Sequence, residues 1–406
     1  MSVLLVGTLD TKGAETLHVR DRLRAAGVQV TVLDAGVLGS PFFEPEINRE
    51  AVYTTAGSSL EAVRRIADRG AAVTLAAEGV AKIALGLHRR GVLTGVLGLG
   101  GSAGTTIATA AMRALPLGLP KVMVSTLASG QVRPFVGTRD VLMLHSVVDI
   151  AGLNRISRLV LDNAAAAMAG MVKAREAATR EPQESLDRPV VAATMFGVTT
   201  PCVDMARAIL EAAGYEVLVF HATGTGGRTM EELIRDGLIA GVLDLTTTEL
   251  ADELVGGILN AGPDRLTAAA LAGVPQVVSV GALDMVNFGP LDTVPEKFRG
   301  RRLHLHNPNV TLMRTTPEEM DRLGLEIAQK VCASRGPTSL MLPLKGVSAI
   351  DAEGKPFWWP EANAALTQSI RNWVSPDIDL VEIDAHINDR EFAETAARKL
   401  LQLMKR

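Results

Sequence analysis

Cysteine is scarce: the 406-residue chain holds two, Cys202 and Cys332, with no CxxC pair. A disulfide framework or a CxxC-type zinc site is therefore not expected, and a reduced, cytoplasmic setting is. Aromatic residues make up only 3%. The core must then be Val, Leu, Ile and Ala, as in parallel sheets covered on both faces. A basic excess is also missing, since the net charge is −4, and this argues against a nucleic-acid surface. No apolar run approaches the roughly 18 residues that read as a membrane span. The opening MSVLLVGTLDTKGAE has no basic stretch ahead of its strand-like run, so a secretory leader is not expected either.

What is present is regular alternation. With 47% hydrophobic and 21% charged residues, the composition is that of a packed globular protein, and the length favours two domains. SVLLVG (2–7) reads as a strand, DTKGAETLHVRDRLRAAG as a helix, and VQVTVLD (28–34) as a second strand. SLEAVRRIADRG (59–70), AAVTLAAEG (71–79) and VAKIALGLHRRG (80–91) continue the strand–helix rhythm. Then come GVLTGVLGL, LPKVMVST (119–126) and a long helix over about 154–178. The polar, proline-bounded segment 174–189 is the linker candidate, dividing a first domain (1–180) from a second (188–406). The second half restarts with PVVAATMFG (189–197) and repeats the pattern to a closing amphipathic helix that fits either domain. Strands alternating with helices of this length predict right-handed βαβ units. The expected fold is α/β, with two doubly wound Rossmann-like domains whose parallel sheets face a cleft.

Ligands in such sheets bind beyond the carboxyl ends of the strands. After the first strand, Thr8, Asp10, Thr11 and Lys12 offer hydroxyls, a carboxylate and a cation at the entry to a helix. That suits phosphate, although an Asp or Thr helix cap with an exposed lysine is the plainer alternative. After a later strand, GLGGSAGTT (98–106) brings Gly100, Gly101, Ser102, Thr105 and Thr106 to another helix start. Either it is a tight corner or an anion is held against backbone N–H groups, and four glycines favour the anion. A third loop offers Ser125, Thr126, Ser129 and Gly130, and Asp149 further on is a helix cap or a ligand contact. Three such loops at strand ends point to a nucleotide or phosphorylated ligand.

These residues also carry a resemblance. VGTLDTKGAE, GLGGSAGTT, STLASG and VGTRDVLMLHSVVDIAGLNRIS, followed by HATGTGGRTMEELI, DLTTTELADELVGGILNAGPDRL and HNPNVTLMRTT, are similar to the N-terminal module of the tomato mosaic virus resistance protein and its uncharacterised bacterial relatives. The likeness runs over essentially the whole chain. It implies an ATP-binding module of two Rossmann-like domains with nucleotide in the first. In the plant protein a TIM-barrel-like domain follows, so the resemblance implies that this domain's activity either comes from a separate TIM-barrel polypeptide as partner or is missing here. Antiviral action is not implied.

In the second domain, His221, with Thr223, Thr225 and Arg228 in a glycine-rich loop, suits a carboxylate or phosphate. Glu249 fits a capping box with the threonines before it. His221, Glu249, Asp284 and His306 are the candidate catalytic groups, the histidines because an imidazole is the side chain suited to acid–base work near neutrality, although a lone loop histidine is more often a structural hydrogen-bonding residue. Cys202 stands where a helix start would stabilise a thiolate, but a small buried residue is the favoured reading. PFWWPEAN (356–363) reads as a packed or interface lid. The expected function is an ATP-dependent enzyme acting on a small anionic substrate in the cleft, with Mg²⁺ on the phosphates held by Asp10 or Asp149. The alternatives are a nucleotide-binding sensor without turnover and a sugar-phosphate or nucleotide-sugar enzyme. A homo-oligomer, most simply a dimer, is expected, with no nucleic acid and no membrane as partner.

Overall fold

A computed structural model describes residues 1–66, 68–178 and 188–405. The chain forms two compact units, Met1–Glu184 and Ser185–Arg406. Most of the expected linker, including the boundary near 180, lies outside the described residues, and its first residues, through Ala178, are helical.

The first unit is a five-stranded parallel sheet in the order β2-β1-β3-β4-β5. Its strands are β1 (Ser2–Gly7), β2 (Val30–Asp34), β3 (Leu93–Gly100), β4 (Lys121–Ser125) and β5 (Leu142–His145). The helices are α1 (Gly13–Ala25), α2 (Arg49–Thr55), α3 (Leu60–Ile66), α4 (Arg69–Arg89), α5 (Ser102–Ala114), α6 (Arg133–Val136) and α7 (Arg155–Ala178). Strand β1 shows why its apolar run is unbroken. Leu4 and Val6 pack into one core layer with Val52, Val80, Ile107 and Met112. Val3 and Leu5 pack into the opposite layer with Val19, Leu23, Leu161 and Met168. Both faces are covered, as parallel sheets require.

One sequence expectation is corrected here. Residues 71–79 form no strand but continue α4, which Asp68 caps by accepting from the Gly70 and Ala71 amides. The buried positions Ala72, Ala76, Gly79, Val80 and Ala84 recur every three or four residues, a helical period that overrides the apparent alternation. Gly79 is needed for packing, because a Cβ there would stand 2.1 Å from the Val52 carbonyl oxygen. Among the described residues α4 is the one helix long and apolar enough to cross a bilayer, and one side of it, with Ala72, Ala76, Val80 and Ala84, is buried in the first unit's core.

The second unit winds the same way, with a parallel sheet in the order β14-β13-β9-β8-β6-β7. Its strands are β6 (Val190–Met195), β7 (Glu216–His221), β8 (Gly241–Thr246), β9 (Gln276–Gly281), β10 (Met285–Phe288), β11 (Leu303–Asn307), β12 (Val310–Arg314), β13 (Thr338–Pro343) and β14 (Asp379–Ile383). Its helices are α8 (Thr200–Ala212), α9 (Thr225–Arg235), α10 (Glu249–Val255), α11 (Ala268–Ala272), α12 (Pro317–Cys332), α13 (Pro360–Trp373) and α14 (Arg390–Leu403). The closing helix α14 belongs to this unit, with Phe392, Ala396 and Leu400 packed against Val203 and Leu210 of α8. The parallel pattern did not foresee the small antiparallel sheet β10-β12-β11, inserted after β9. The chain is thus α/β with two doubly wound, Rossmann-like parallel sheets.

Candidate functional site

In the first unit the winding reverses between β1 and β3, where a doubly wound sheet opens a crevice at its carboxyl edge. A cavity of about 1170 Å³ lies there. It gathers Thr8, Asp10, Thr11, Lys12, Gly100, Gly101, Ser102 and Asp149 from the sequence candidates. Thr105, Thr106, Ser125, Thr126, Ser129 and Gly130 are not among its lining residues. The reason is plain for two of them. Thr105 and Ser125 are buried and hydrogen-bonded to each other at 2.7 Å, fastening the start of α5 to the end of β4.

Two helix starts meet the cavity. Neither α1, entered at Lys12, nor α5, entered at Gly101, has a side-chain cap. Their first N–H groups are therefore available to an anion. The corner explains only part of the glycine content. A Cβ on Gly100 would stand 2.8 Å from the Gly104 Cα, and one on Gly104 would stand 3.0 Å from the Leu99 oxygen. Those two glycines let strand and helix touch. Gly101 has φ −79°, and an added Cβ would meet nothing nearer than 3.7 Å. Neither backbone nor packing requires glycine there.

The cavity wall after β2 is tightly held. Asp34 accepts from the amides of Leu9 (2.9 Å) and Gly36 (2.9 Å) and from Arg49 Nε (2.7 Å). It sits where a dinucleotide fold places its ribose-binding acid, but its oxygens are already engaged. Asp10 Oδ2 accepts from the Val37 (3.0 Å) and Leu38 (2.8 Å) amides. Arg49 donates onward to the Leu38 and Gly39 carbonyls, and Arg64 to the Val37 carbonyl. Gly36 makes room for this, since a Cβ there would stand 2.7 Å from the Asp10 carboxyl carbon. Lys12 Nζ donates to the Ile150 carbonyl. Two buried polar atoms on the lining have no partner among the described residues: Asp10 Oδ1 and the Tyr53 hydroxyl. Burial, reinforced by the nearby Asp10 charge, pushes the Tyr53 phenol up to about 12.

The second unit does not assemble its candidates in one place. Glu249 is fully buried. Its Oε1 accepts from the Gly224 (2.6 Å) and Gly227 (3.1 Å) amides, while its Oε2 meets Arg265 Nε at 2.6 Å. The chain's own carboxylate therefore fills the start of α9, where the glycine-rich loop suggested an external anion. The capping box is absent, since Thr248 makes no side-chain cap bond. Arg265, also fully buried, is forked onto Asp244 at 2.5 and 2.7 Å and lies 3.5 Å from Glu231. Asp284 belongs to a different cluster. It is buried, accepts from Ser348 Oγ at 2.8 Å, and has its acidity weakened by burial and by the charge of Asp351. His221 is exposed, with its ring 5.4 Å from that of Phe196, and His306 is exposed on β11. Burial pushes the Cys202 thiol up to about 12, which removes it as a nucleophile. In the tryptophan-containing segment, Phe357 is buried and Arg302 lies 4.8 Å above the Trp359 ring.

A family's N-terminal domain profile matches residues 1–177 and its C-terminal profile matches residues 188–404. The chain belongs to the uncharacterised protein family UPF0261. A member from Clostridium tetani is 50% identical over 405 residues, covering 100% of this chain and 99% of that one. The ToMV resistance protein Tm-1(GCR237) of Solanum lycopersicum is 41% identical over 420 residues, covering 99% of this chain but 55% of the plant protein. The resemblance read from the motifs therefore holds. Among solved structures, a UDP-N-acetylglucosamine 2-epimerase from Rickettsia bellii aligns over 99% of this chain and 95% of its own, at 11% identity and a TM-score of 0.23. That likeness is too distant to bear on function.

Sequence reading missed Tyr53, Arg64, Arg69 and the 36–40 loop as parts of the family member's cavity wall. The loop had a signal, because AGVLGS directly follows β2 and a strand end beside the switch point is a place to look. Tyr53 had none: a tyrosine within a helix reads as core.

Proposed function

We propose that the first unit binds a nucleoside triphosphate, ATP with Mg²⁺, with the phosphates seated at the starts of α1 and α5. The observation that carries this reading is the convergence of two uncapped helix starts on one cavity at the β1/β3 switch point. Such ends combine free N–H donors with the positive pole of the helix dipole. Lys12 adds a full positive charge, and an ammonium with one donor on Ile150 keeps two for phosphate. Glycine at position 101 supports a close approach of ligand to backbone. Mg²⁺ binds through one or two carboxylates together with phosphate oxygens. Asp10 and Asp149 both line the cavity, so they fit that role, and the ion would neutralise phosphate charge. Among the described residues no three His, Cys, Asp or Glu side chains are grouped to hold a metal, which agrees with a cation carried in by the nucleotide.

The reading is one of binding. Glu249 is committed to internal partners, and this favours nucleotide capture over a proton-transfer role for that group, whereas Asp284 keeps a buried oxygen, Oδ1, without a partner among the described residues. Exposed His221 and His306 are the acid–base groups available for turnover of a small anionic substrate.

A single substitution tests the phosphate seat. Ser102 is exposed in the first turn of α5, where a carboxylate favours the helix. Ser102→Asp should leave the melting temperature of the free protein equal or higher. It should weaken ATP·Mg²⁺ binding at least about tenfold, because like charges then share the seat. Calorimetric titration and thermal shift read both quantities. Unchanged ATP affinity in Ser102→Asp would place the phosphates elsewhere.

A further inference from the structure

Helix α4 meets the cavity with its first turn. Parallel strands send each connecting helix back the other way, so α4, which leads into β3, and α5, which leaves it, both begin at the carboxyl edge of the sheet. Ala72 of α4 and Ile107 of α5 pack in one core layer. Arg69, Ala72 and Val73 all line the cavity, and residues three and four apart share one face of a helix. Arg69 thus stands on the lining face of α4. It is exposed, and among the described residues it has no hydrogen bond, ion pair or ring contact. The other cations of the lining are engaged: Lys12 donates to the Ile150 carbonyl, and Arg64 to the Val37 and Leu38 carbonyls. The neighbouring carboxylate of Asp68 accepts from the Gly70 and Ala71 amides instead. Arg69 is also the first residue of a helix with no acidic side chain in its first turn, where the helix dipole disfavours a cation. A local preference broken with no compensating partner is the mark of a functional position. An anion held in the cavity supplies that partner.

We propose that Arg69 is a direct anion contact of this site, its guanidinium pairing with a phosphate of the bound ligand. This rests on the nucleotide reading above and extends it from backbone amides at the starts of α1 and α5 to a side chain of α4. A guanidinium is planar, permanently charged and able to meet two phosphate oxygens at once. Arg69 therefore favours a phosphorylated ligand over the uncharged nucleoside.

Arg69→Gln and Arg65→Gln separate a direct contact from general charge attraction. Arg65, near the end of α3, is the control: it is exposed, pairs with Glu61 at 2.6 Å and is not among the lining residues. The full-length wild type and both variants are titrated with ATP·Mg²⁺ by calorimetry, and their thermal unfolding is followed without ligand. Arg69→Gln should lose about tenfold or more in ATP·Mg²⁺ affinity, the effect of removing a charge-assisted hydrogen bond. The free Arg69→Gln protein should melt at the same or a higher temperature, since a cation has left a helix start. Arg65→Gln should bind ATP·Mg²⁺ within about twofold of the wild type, because an exposed charge away from the ligand is screened. Unchanged affinity in Arg69→Gln overturns the inference, and the phosphate seat still stands if Ser102→Asp weakens binding. Equal losses in Arg69→Gln and Arg65→Gln overturn it as well, for they mark attraction at a distance. A wild type that does not bind ATP·Mg²⁺ removes the nucleotide reading itself, and this inference with it.

Discussion

Arg265→Ala should unfold or severely weaken the second unit at neutral pH. Arg265 is fully buried and neutralises Asp244 at 2.5 Å and Glu249 at 2.6 Å, with Glu231 at 3.5 Å. Removing one partner of a buried ion pair costs about 3–5 kcal/mol, because the other charge is left behind. Here at least two carboxylates lose their cation. For a unit of this size that corresponds to a fall of roughly 6–20 °C in melting temperature. The deficit should depend on pH. Burial already holds the Glu231 carboxyl above its ordinary value against the pull of Arg265, and without the arginine burial raises it further. Its contribution is then harmless below the unfolded pKa, and stability is lost as pH rises through the folded one. The variant should accordingly recover at pH 5 relative to pH 8. Arg265→Lys should recover only part of the loss, since a lysine keeps the charge but not the fork. Denaturation at the two pH values tests this, and an Arg265→Ala protein as stable as wild type at pH 8 would mean that the cluster is not a closed ionic network.

Asp252 should make the wild type less stable as pH rises from about 4 to 7. Burial pushes its carboxyl up to about 7, against the opposing pull of the Asn287 amide and side chain, which donate to it at 2.6 and 2.9 Å. Its folded pKa lies above the unfolded one, so the native state holds a proton that the unfolded chain has released. Each pH unit across that window removes stability at about 1.4 kcal/mol per proton. Over the three-unit window this approaches about 4 kcal/mol as an upper bound. Asp252→Asn cannot ionise. Its stability relative to wild type should therefore climb between pH 4 and 7 and level off above. Chemical denaturation across that range reads the difference directly. Parallel curves for the two proteins would show that Asp252 enters the native state already ionised.

Both residues stand in the second unit, where the sequence was least legible. The strand ends that carry chemistry in the first unit could be found locally: β1 runs straight into Thr8–Lys12, and β3 into Gly100–Ser102. Their neighbourhood follows from parallel winding alone, because adjacent strands deliver their loops to one edge. The role of Glu249 has no such local origin. A carboxylate opening a helix can cap, catalyse or pair, and the choice was made by Arg265, sixteen residues on, and by the amides of another helix start. Asp284 and His306 were likewise separated by the antiparallel insertion, which breaks the strand–helix rhythm on which the placement relied. Helix α4 was misread for a related reason: small residues satisfy both periods until the partner helix is known.

The anchored segment after β2 has a consequence for ligand capture. The amides of Gly36, Val37 and Leu38 are bound to Asp34 and Asp10, and its carbonyls to Arg49 and Arg64. That stretch has surrendered its backbone freedom on folding, so an incoming ligand need not order it, and little entropy is lost at encounter. In amide hydrogen exchange these three positions should already be slow in the free chain. Binding should then slow exchange chiefly at the start of α5 and leave residues 36–38 as they were.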